Sequence, residues 1–286
     1  MYLKQVIISL RPGQWIKNFF VFAALIFARK FTDLAAIEKA LAAFALFCLV
    51  SSGVYLINDV IDYEKDKRHP VKKNRPIASG KISRGLALAL AVVLIILSVS
   101  LSYVVSRELS FVILAYALLN LFYSLYLKNV VILDVICIAV GFVLRVIAGA
   151  MAVGVIFSSW LLLCTFFLTL FLAIGKRKNE LMVLGNAEQR AVLGGYSLEL
   201  LNQMNAVVLP STLITYALYT FSSWHSQWLI LTVPVVLYGL FRYLYIVDKK
   251  RVSDNGPSDD LFYDRPLQLT VTVWILIVLA VLLYAK

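Results

Sequence analysis

Nine long apolar segments dominate this sequence and limit the folds open to it. They cover residues 16–31, 37–57, 86–105, 109–127, 131–152, 159–175, 205–223, 227–246 and 268–285. Several approach the roughly 20 residues that an α-helix needs to cross a bilayer, whereas the first is short and must lean on its neighbours. None shows the alternation of a membrane β-barrel, so we predict an all-α polytopic membrane protein, a bundle of nine transmembrane helices.

The charges of the chain predict its orientation in the membrane. Only 15% of the residues are charged and 62% are hydrophobic, so the net charge of +11 does not indicate a nucleic-acid partner. Most Lys and Arg residues, including eight between 65 and 84, fall on the inner side if the N-terminus is cytoplasmic. The positive-inside rule then predicts an inner (cytoplasmic) membrane protein with a cytoplasmic N-terminus and an outer C-terminus.

The connections between the apolar segments are longer on the predicted inner side. The inner connections cover 58–85, 176–204 and 247–267, which predicts that the chemistry takes place on the cytoplasmic face. Residues 1–15 end in Trp15 and are interpreted as an interfacial segment. The whole chain, 1–286, is predicted to form one transmembrane domain.

A regular series of acidic residues follows the second apolar segment. Asn58, Asp62 and Asp66 are four residues apart, so a helix places them on one face, with Asp59 beside them. Hard oxygen ligands suit Mg²⁺, whose coordination shell is usually completed by substrate phosphates. We therefore predict that Asn58, Asp62 and Asp66 bind Mg²⁺ and that Asp59, Asp62 and Asp66 are catalytic. The alternative is a solvated helix end whose acids pair with Lys65, Lys67 and Arg68.

A basic stretch, 67–76, comes directly after the acidic series. Arg75 is its strongest candidate for substrate binding, because a guanidinium can hold phosphate oxygens at two points. Lys72 is a second candidate, although the positive-inside bias alone explains part of this charge. His69 is a lone loop histidine, for which we favour a structural role.

Later segments carry two more polar groups. Lys176, Arg177 and Glu180 follow the sixth segment, either as a cationic phosphate pocket with Glu180 as a further ligand or as a simple Lys176–Glu180 pair. Asp134 and Arg145 share a face of the fifth segment, about three turns apart. An intramembrane arginine is a functional candidate by default. The competing interpretation of Arg145 is a structural pair with Asn120 or a backbone carbonyl.

Residues at the ends of other segments are weaker candidates. Tyr123 and Lys128 end the fourth segment, where tyrosine is more often an interface residue and Lys128 can help to hold a phosphate. Tyr196, Ser197 and Glu199 can supply groups that bind hydroxyls. The acidic and basic residues before the last segment are interpreted as a solvated loop; they are Asp260, Asp264 and Arg265.

The stretch from Asn58 to Asp66 resembles the UbiA superfamily of intramembrane prenyltransferases. The likeness covers most of the chain and includes the motifs Leu133-Asp134-Val135, Arg145 with Ala148-Gly149-Ala150, and Arg75-Pro76-Ile77-Ala78-Ser79-Gly80. This resemblance implies a nine-helix bundle around a central cavity that opens to the cytoplasm and, laterally, to lipid.

One departure from the superfamily pattern distinguishes between its branches. Aromatic prenyltransferases carry a second Asp-rich motif where this chain has Gly175-Lys176-Arg177-Lys178-Asn179-Glu180-Leu181. That sequence is similar to the decaprenyl-phosphate phosphoribosyltransferase branch. Further motifs agree with this branch: Leu10 to Asn18, which includes Lys17, His69-Pro70 with Lys72 and Lys73, and Asp264-Arg265.

The resemblance implies Mg²⁺-dependent transfer of 5-phosphoribose from phosphoribosyl diphosphate (PRPP) to a polyprenyl phosphate such as decaprenyl phosphate, in cell-wall biosynthesis. The substrate-binding residues implied are Lys17, Asn58, Lys72, Arg75, Tyr123, Lys128, Asp134, Arg145, Lys176, Arg177 and Glu180. One alternative is transfer of an allylic prenyl group to an aromatic or other small acceptor. Another is a transporter or lipid-binding protein that uses Arg145 as a counter-charge. A homo-oligomer is compatible with the sequence.

Overall fold

The structure, a computed structural model, describes residues 2–69, 71–184, 191–222, 227–249 and 264–284. Within these ranges all regular structure is helical and there is no strand. The α-helices are α1 Tyr2–Ser9, α2 Ala23–Phe27, α3 Leu34–Ile61, α4 Tyr63–Arg68, α5 Arg84–Val105, α6 Arg107–Leu125, α7 Leu133–Val153, α8 Ser159–Leu184, α9 Leu198–Ser222, α10 Val233–Asp248 and α11 Arg265–Tyr284. The 3₁₀ helices are Pro12–Phe22, Lys72–Asn74, Leu127–Asn129, Ala191–Gly195 and Gln227–Thr232.

Eight helices in the described ranges are long and apolar enough to cross a membrane. They are Leu34–Ile61, Arg84–Val105, Arg107–Leu125, Leu133–Val153, Ser159–Met182, Leu198–Phe221, Trp228–Asp248 and Arg265–Tyr284. These helices correspond to the second through ninth predicted segments, which confirms an all-α membrane fold. The first predicted segment, 16–31, is different: it contains no α-helix of spanning length.

The first apolar segment forms a 3₁₀ helix, Pro12–Phe22, that continues into the five-residue helix α2. It runs antiparallel to α3, because Trp15 donates to Ser52 at 3.1 Å while Phe22 packs against Phe44, earlier in α3. Leu25 then joins an apolar cluster at the start of α3. A 3₁₀ helix rises about 2.0 Å per residue, so the two helices together cover about 30 Å, close to the thickness of the hydrocarbon core.

A glycine of α7 permits the close approach of this segment. A Cβ atom at Gly149 would collide with the backbone carbonyl of Val21, which lies in the 3₁₀ helix. A Cβ atom at Gly141, two turns earlier in α7, would make only ordinary van der Waals contacts, the nearest with Arg145 at 3.6 Å. The absence of a side chain at Gly149 is therefore a packing requirement.

Several predicted loops are shorter in the structure. Helix α8 continues to Leu184, so the first part of the predicted loop 176–204 is helical, and α9 begins at Leu198. The predicted loop 58–85 contains the end of α3, helix α4 and the 3₁₀ helix Lys72–Asn74. In both places the helical structure continues beyond the apolar residues into a stretch of charged residues.

Asp264 corrects the prediction of a solvated loop before the last segment. It accepts a hydrogen bond from the backbone N–H of Leu267 at 2.9 Å and so caps α11. It also accepts two hydrogen bonds from Arg242, at 3.0 and 2.7 Å. This bidentate ion pair ties α10 to α11. Arg265 lies in the first turn of α11, and Asp260 is outside the described residues.

The chain divides into two compact units by its internal contacts. The first comprises Met1–Val130 with Gly141–Ile156, and the second comprises Val131–Val140 with Phe157–Lys286. Helix α7 contributes to both, so that Asp134 belongs to the second unit and Arg145 to the first. The single domain over 1–286 stays a prediction.

We expect Gly149→Ala to lower the thermal stability of the purified protein, because overpacking of this kind costs about 1–3 kcal/mol. Gly141→Ala is the matched control, since it makes the same change in the same helix and has room for the methyl group. It should leave the melting temperature unchanged or raise it, because alanine is the better helix former. Equal melting temperatures for the two variants in detergent would contradict this packing role.

Candidate active site

The acidic series lies at the junction of α3 and α4 in the first unit. Asn58 and Asp59 belong to the last turn of α3, and Asp62 separates the two helices. Helical hydrogen bonds continue across the junction: the N–H of Asp62 donates to Asn58 O at 2.9 Å, and the N–H of Asp66 donates to Asp62 O at 2.8 Å. The backbone therefore retains the four-residue spacing along one face that the sequence predicts.

Basic residues from distant parts of the first unit bind these carboxylates. Asp59 and Asp66 are each only 3% exposed. Asp59 Oδ1 accepts hydrogen bonds from Arg11 and, at 3.1 Å, from Arg75 Nη1. The same Nη1 atom of Arg75 donates to Asp66 Oδ2 at 2.5 Å. One guanidinium nitrogen thus joins two buried carboxylates.

The third carboxylate has a partner of its own. Lys128 Nζ lies 2.6 Å from Asp62 Oδ1, and it comes from the 3₁₀ helix that follows α6. The alternative of local pairing with Lys65, Lys67 or Arg68 is wrong for the described ion pairs, none of which includes these residues. Lys67 instead lies over the ring of Tyr63, and its hydrogen bond to Tyr63 raises the pKa of Lys67. The acidic residues are therefore neutralised by Arg11, Arg75 and Lys128, which lie between 9 and 66 residues away in the sequence.

Arg11 is a further member of this cluster, and from the sequence it was predicted only as part of a family-like motif. Its backbone adopts the left-handed conformation, with φ 54°, immediately before Pro12. Such a conformation is strained for a residue with a side chain, and it is often found at functional sites. Its guanidinium also lies 5.2 Å from the ring centroid of Tyr55. The available signal was a basic residue directly before Pro12-Gly13.

The remaining candidates near the acidic cluster lie in short elements. Lys17 belongs to the 3₁₀ helix Pro12–Phe22, and Lys72 begins the 3₁₀ helix Lys72–Asn74. Tyr123 lies in the last turn of α6. The ring of His69 has the structural role that the sequence favours, because its Nδ1 accepts hydrogen bonds from the backbone N–H groups of Val71 and Lys72.

Arg145 is buried in the first unit among uncharged partners. Its Nε donates to Asn18 Oδ1 at 2.9 Å, Nη1 to Gly141 O at 2.8 Å, and Nη2 to Tyr116 Oη at 2.8 Å. The interpretation of a structural pair with a backbone carbonyl agrees with these bonds. Asn120 is not its partner in the described contacts; the side chain of Asn120 donates to Tyr116 O. Arg145 thus connects the 3₁₀ helix, α6 and α7.

A second charged cluster lies in the second unit. Arg177 Nε donates to Asp134 Oδ2 at 2.7 Å, and Arg177 Nη1 donates to Glu180 Oε2 at 2.6 Å. Asp134 is fully buried and Arg177 is 1% exposed. The partner of Asp134 is therefore Arg177, which also pairs with Glu180, three residues later on α8. The pair of Lys176 with Glu180 stays a prediction.

Tyr196 completes this second cluster. Its hydroxyl donates to Asp134 Oδ1 at 2.6 Å and accepts from the backbone N–H of Ile132 at 2.8 Å. Ile132 has a φ of 72°, so this hydrogen bond stabilises a strained turn before α7. Burial, followed by the hydrogen bond to Asp134, raises the pKa of Tyr196, which keeps the hydroxyl protonated at neutral pH. The next residue, Ser197, accepts from the N–H of Leu200 and caps α9.

The profile of the UbiA prenyltransferase family matches residues 18–263. The chain belongs to this family. It is 35% identical to a decaprenyl-phosphate phosphoribosyltransferase from Corynebacterium glutamicum, over 96% of this chain and 85% of that protein. A protein of the same name from Mycobacterium tuberculosis H37Rv is 31% identical, over 94% of this chain and 91% of its own length.

Solved structures of UbiA proteins have the same fold. The structure of a UbiA homologue from Archaeoglobus fulgidus, bound to DMAPP and Mg²⁺, superposes with a TM-score of 0.75 at 20% sequence identity. The superposition covers 98% of this chain and 99% of the Archaeoglobus fulgidus protein. At this identity the likeness shows a common fold and carries no assignment of substrate.

The acidic cluster of this UbiA family member has suitable donors for a divalent cation. Asp59 and Asp66 direct one oxygen each at a single positive atom, Arg75 Nη1, so the two carboxylates already converge on a cation. Oxygen donors of this kind are those that Mg²⁺ prefers. No group of three His, Cys, Asp or Glu side chains arranged for a metal occurs in the described part of the chain. The carboxylate oxygens of this cluster are therefore suitable ligands for Mg²⁺, and in the structure they are paired with basic residues.

We expect Arg177→Gln to destabilise the protein by about 3 kcal/mol or more, because it leaves Asp134 as a buried charge without its partner. Lys178→Gln is the matched control, since it removes the same charge from a neighbour in α8 whose ion-pair partner, Asp248, is exposed. Thermal unfolding in detergent, followed by tryptophan fluorescence, compares the two. An equal loss of melting temperature in both variants would show that the buried pair has no special role.

Proposed function

We propose that this protein transfers 5-phosphoribose from PRPP to a polyprenyl phosphate, such as decaprenyl phosphate, and releases diphosphate. The observation that carries the proposal is the set of acidic residues at the end of α3, surrounded by Arg11, Arg75 and Lys128. Acids and bases together suit a metal ion and a diphosphate. The relatives named decaprenyl-phosphate phosphoribosyltransferase match over nearly the whole chain and support the choice of substrates.

The proposed reaction exchanges one oxygen substituent at C1 of the ribose. The bond between C1 and the diphosphate oxygen breaks, and its electron pair leaves with the diphosphate. An oxygen of the polyprenyl phosphate forms the new bond to C1. This nucleophile is already ionised near neutral pH, since the second pKa of a phosphate monoester is about 6. A strong general base is therefore unnecessary.

Mg²⁺ is the proposed cofactor, held by Asn58, Asp62 and Asp66, and Asp59 is a further proposed ligand because it shares Arg75 Nη1 with Asp66. When bound, it would neutralise charge on the leaving diphosphate. Arg75 and Lys128 supply cations for the diphosphate oxygens, with Arg11 and Lys72 from neighbouring segments. Guanidinium groups suit this purpose because they bind phosphate oxygens through two parallel hydrogen bonds.

Lys176 is the proposed ligand of the 5-phosphate of PRPP, a group that an allylic donor lacks. Arg177, the other candidate from the sequence, is already committed to Asp134 and Glu180. We therefore assign Arg177 a supporting role and leave the phosphate to Lys176. Lys176→Gln should raise the KM for PRPP, whereas an unchanged KM would contradict this assignment.

We also propose an inner-membrane location, with the N-terminus and the acidic cluster on the cytoplasmic side. The positive-inside rule supports this orientation, since the segment that follows α3 is rich in Lys and Arg. The antiparallel course of Pro12–Phe27 along α3 supports a further crossing before α3. With that crossing the C-terminus lies on the outer side.

Diphosphate release by the purified protein tests the donor and the acceptor together. Reactions contain Mg²⁺ and a polyprenyl phosphate with PRPP, or an aromatic acid with geranyl diphosphate. We expect release with PRPP only, and only when the lipid is present. Release from geranyl diphosphate but not from PRPP would contradict the proposed reaction and support prenyl transfer instead. A lack of release from either donor would argue against both transferase functions.

Asp62→Asn should lower turnover with PRPP by roughly 100-fold at saturating Mg²⁺, because it removes a charge from the proposed metal site. Glu64→Gln is the matched control, since it removes an exposed carboxylate from the first turn of α4. It should retain nearly full turnover. Unchanged turnover of Asp62→Asn would refute the metal assignment.

A further inference from the structure

Arg75 holds the two buried carboxylates at the atoms that a metal ion would need. Its Nη1 bonds to Asp59 Oδ1 at 3.1 Å and to Asp66 Oδ2 at 2.5 Å. A positively charged guanidinium and a divalent cation repel each other strongly in a partly buried site. They therefore compete for Asp59 and Asp66, and the side chain of Arg75 must move if the metal takes both carboxylates.

The surroundings of Arg75 fix its backbone but leave its side chain room to move. The N–H of Arg75 donates to Lys72 O at 2.9 Å, and Arg75 O accepts from the N–H of Ser79 at 2.8 Å. Ile77, two residues later, is buried in the apolar cluster below. The side chain of Arg75 is nevertheless 27% exposed. It can therefore turn away from the carboxylates while its Cα atom stays in place.

The other two basic residues of the cluster are less suited to such an exchange. In the described ion pairs, Arg11 is paired with Asp59 alone, and its guanidinium also lies over the ring of Tyr55. Lys128 is paired there with Asp62 alone, and its side chain is 13% exposed. Arg75 alone, among the ion pairs of the described residues, joins two acidic residues of this cluster.

We propose that Arg75 is an exchangeable counter-ion that makes the binding of metal and of diphosphate depend on each other. Without the diphosphate, Arg75 neutralises Asp59 and Asp66 and keeps the affinity for a divalent cation low. When the metal and the diphosphate bind together, the metal takes the carboxylates and the guanidinium of Arg75 binds the diphosphate oxygens. This inference rests on the proposed function for the identity of the diphosphate, and it assigns to that site a mechanism that favours the complete metal–diphosphate complex.

This exchange leaves a signature in equilibrium binding. If the diphosphate removes Arg75 from the carboxylates, it raises the affinity for the metal. By thermodynamic linkage, the metal raises the affinity for the diphosphate by the same factor. A variant without the Arg75 charge should therefore bind the metal more tightly on its own and gain less from the diphosphate. If Arg75 were only a ligand of the diphosphate, its loss would reduce the gain from the diphosphate but would leave the affinity for the metal alone unchanged.

The test measures binding of Mn²⁺, as a paramagnetic probe, to the full-length protein in detergent. Free Mn²⁺ is buffered, and titrations are carried out with and without PRPP. We expect PRPP to raise the affinity of the wild type for Mn²⁺ by about ten-fold or more. Without PRPP, Arg75→Gln should bind Mn²⁺ about ten-fold more tightly than the wild type, and PRPP should then add little.

Two control variants make the result specific. Lys65→Gln removes an equal charge from an exposed neighbour in α4 that has no ion pair in the described residues. Its Mn²⁺ affinity should stay within about two-fold of the wild type, because exposed charges are screened. Arg75→Lys keeps the charge but loses the guanidinium, so its Mn²⁺ affinity should lie between those of the wild type and Arg75→Gln. It provides a folded comparison if Arg75→Gln is unstable.

Several outcomes would overturn the exchange. They are an unchanged or weaker Mn²⁺ affinity in Arg75→Gln, an equal gain in Lys65→Gln, and a larger gain in Arg75→Lys than in Arg75→Gln. Failure of PRPP to bind the wild type is a different result, since it contradicts the proposed donor. The comparison of Arg75→Gln with Lys65→Gln without any diphosphate still tests the competition in that case.

Discussion

The cost of burying charge within apolar helices controls the arrangement of this protein. An ionised side chain at such depth must find a counter-charge or enough hydrogen bonds. Asp59, Asp66 and Asp134 each meet a guanidinium, whereas Arg145 is satisfied by an amide, a phenol and a carbonyl. Several of these contacts join segments far apart in the sequence, so the polar residues position the helices at the sites where the chemistry is proposed.

The two charged clusters differ in how readily their ion pairs can open. In the first unit, the side chains of Arg11 and Arg75 are 23% and 27% exposed, so water or a ligand can reach them. In the second unit, the side chains of Arg177 and Asp134 are 2% and 0% exposed, and that of Glu180 is 16% exposed. Partly exposed pairs can exchange partners, whereas closed ones are suited to hold helices together. Proximity to a family motif therefore does not establish that a basic residue binds substrate.

The sequence was most informative where local periodicity determines the structure. Eight helices and the spacing of Asn58, Asp62 and Asp66 follow from apolar runs and from the four-residue repeat. The partners of the acids did not follow, because Arg11 lies 48 residues from Asp59 and Lys128 lies 66 residues from Asp62. The burial of Arg177 was also missed, since adjacent basic residues look alike until the fold directs one of them inward.

The 3₁₀ helix Pro12–Phe22 affects how the topology of this chain should be counted. Because each of its residues advances further than in an α-helix, a short stretch covers the depth for which an α-helix needs about 20 residues. A count that omits this segment gives eight, an even number. An even number would return a reporter fused after α11 to the compartment of the N-terminus. If the side of the N-terminus is known and this crossing is not counted, every loop that follows it is assigned to the wrong side of the membrane.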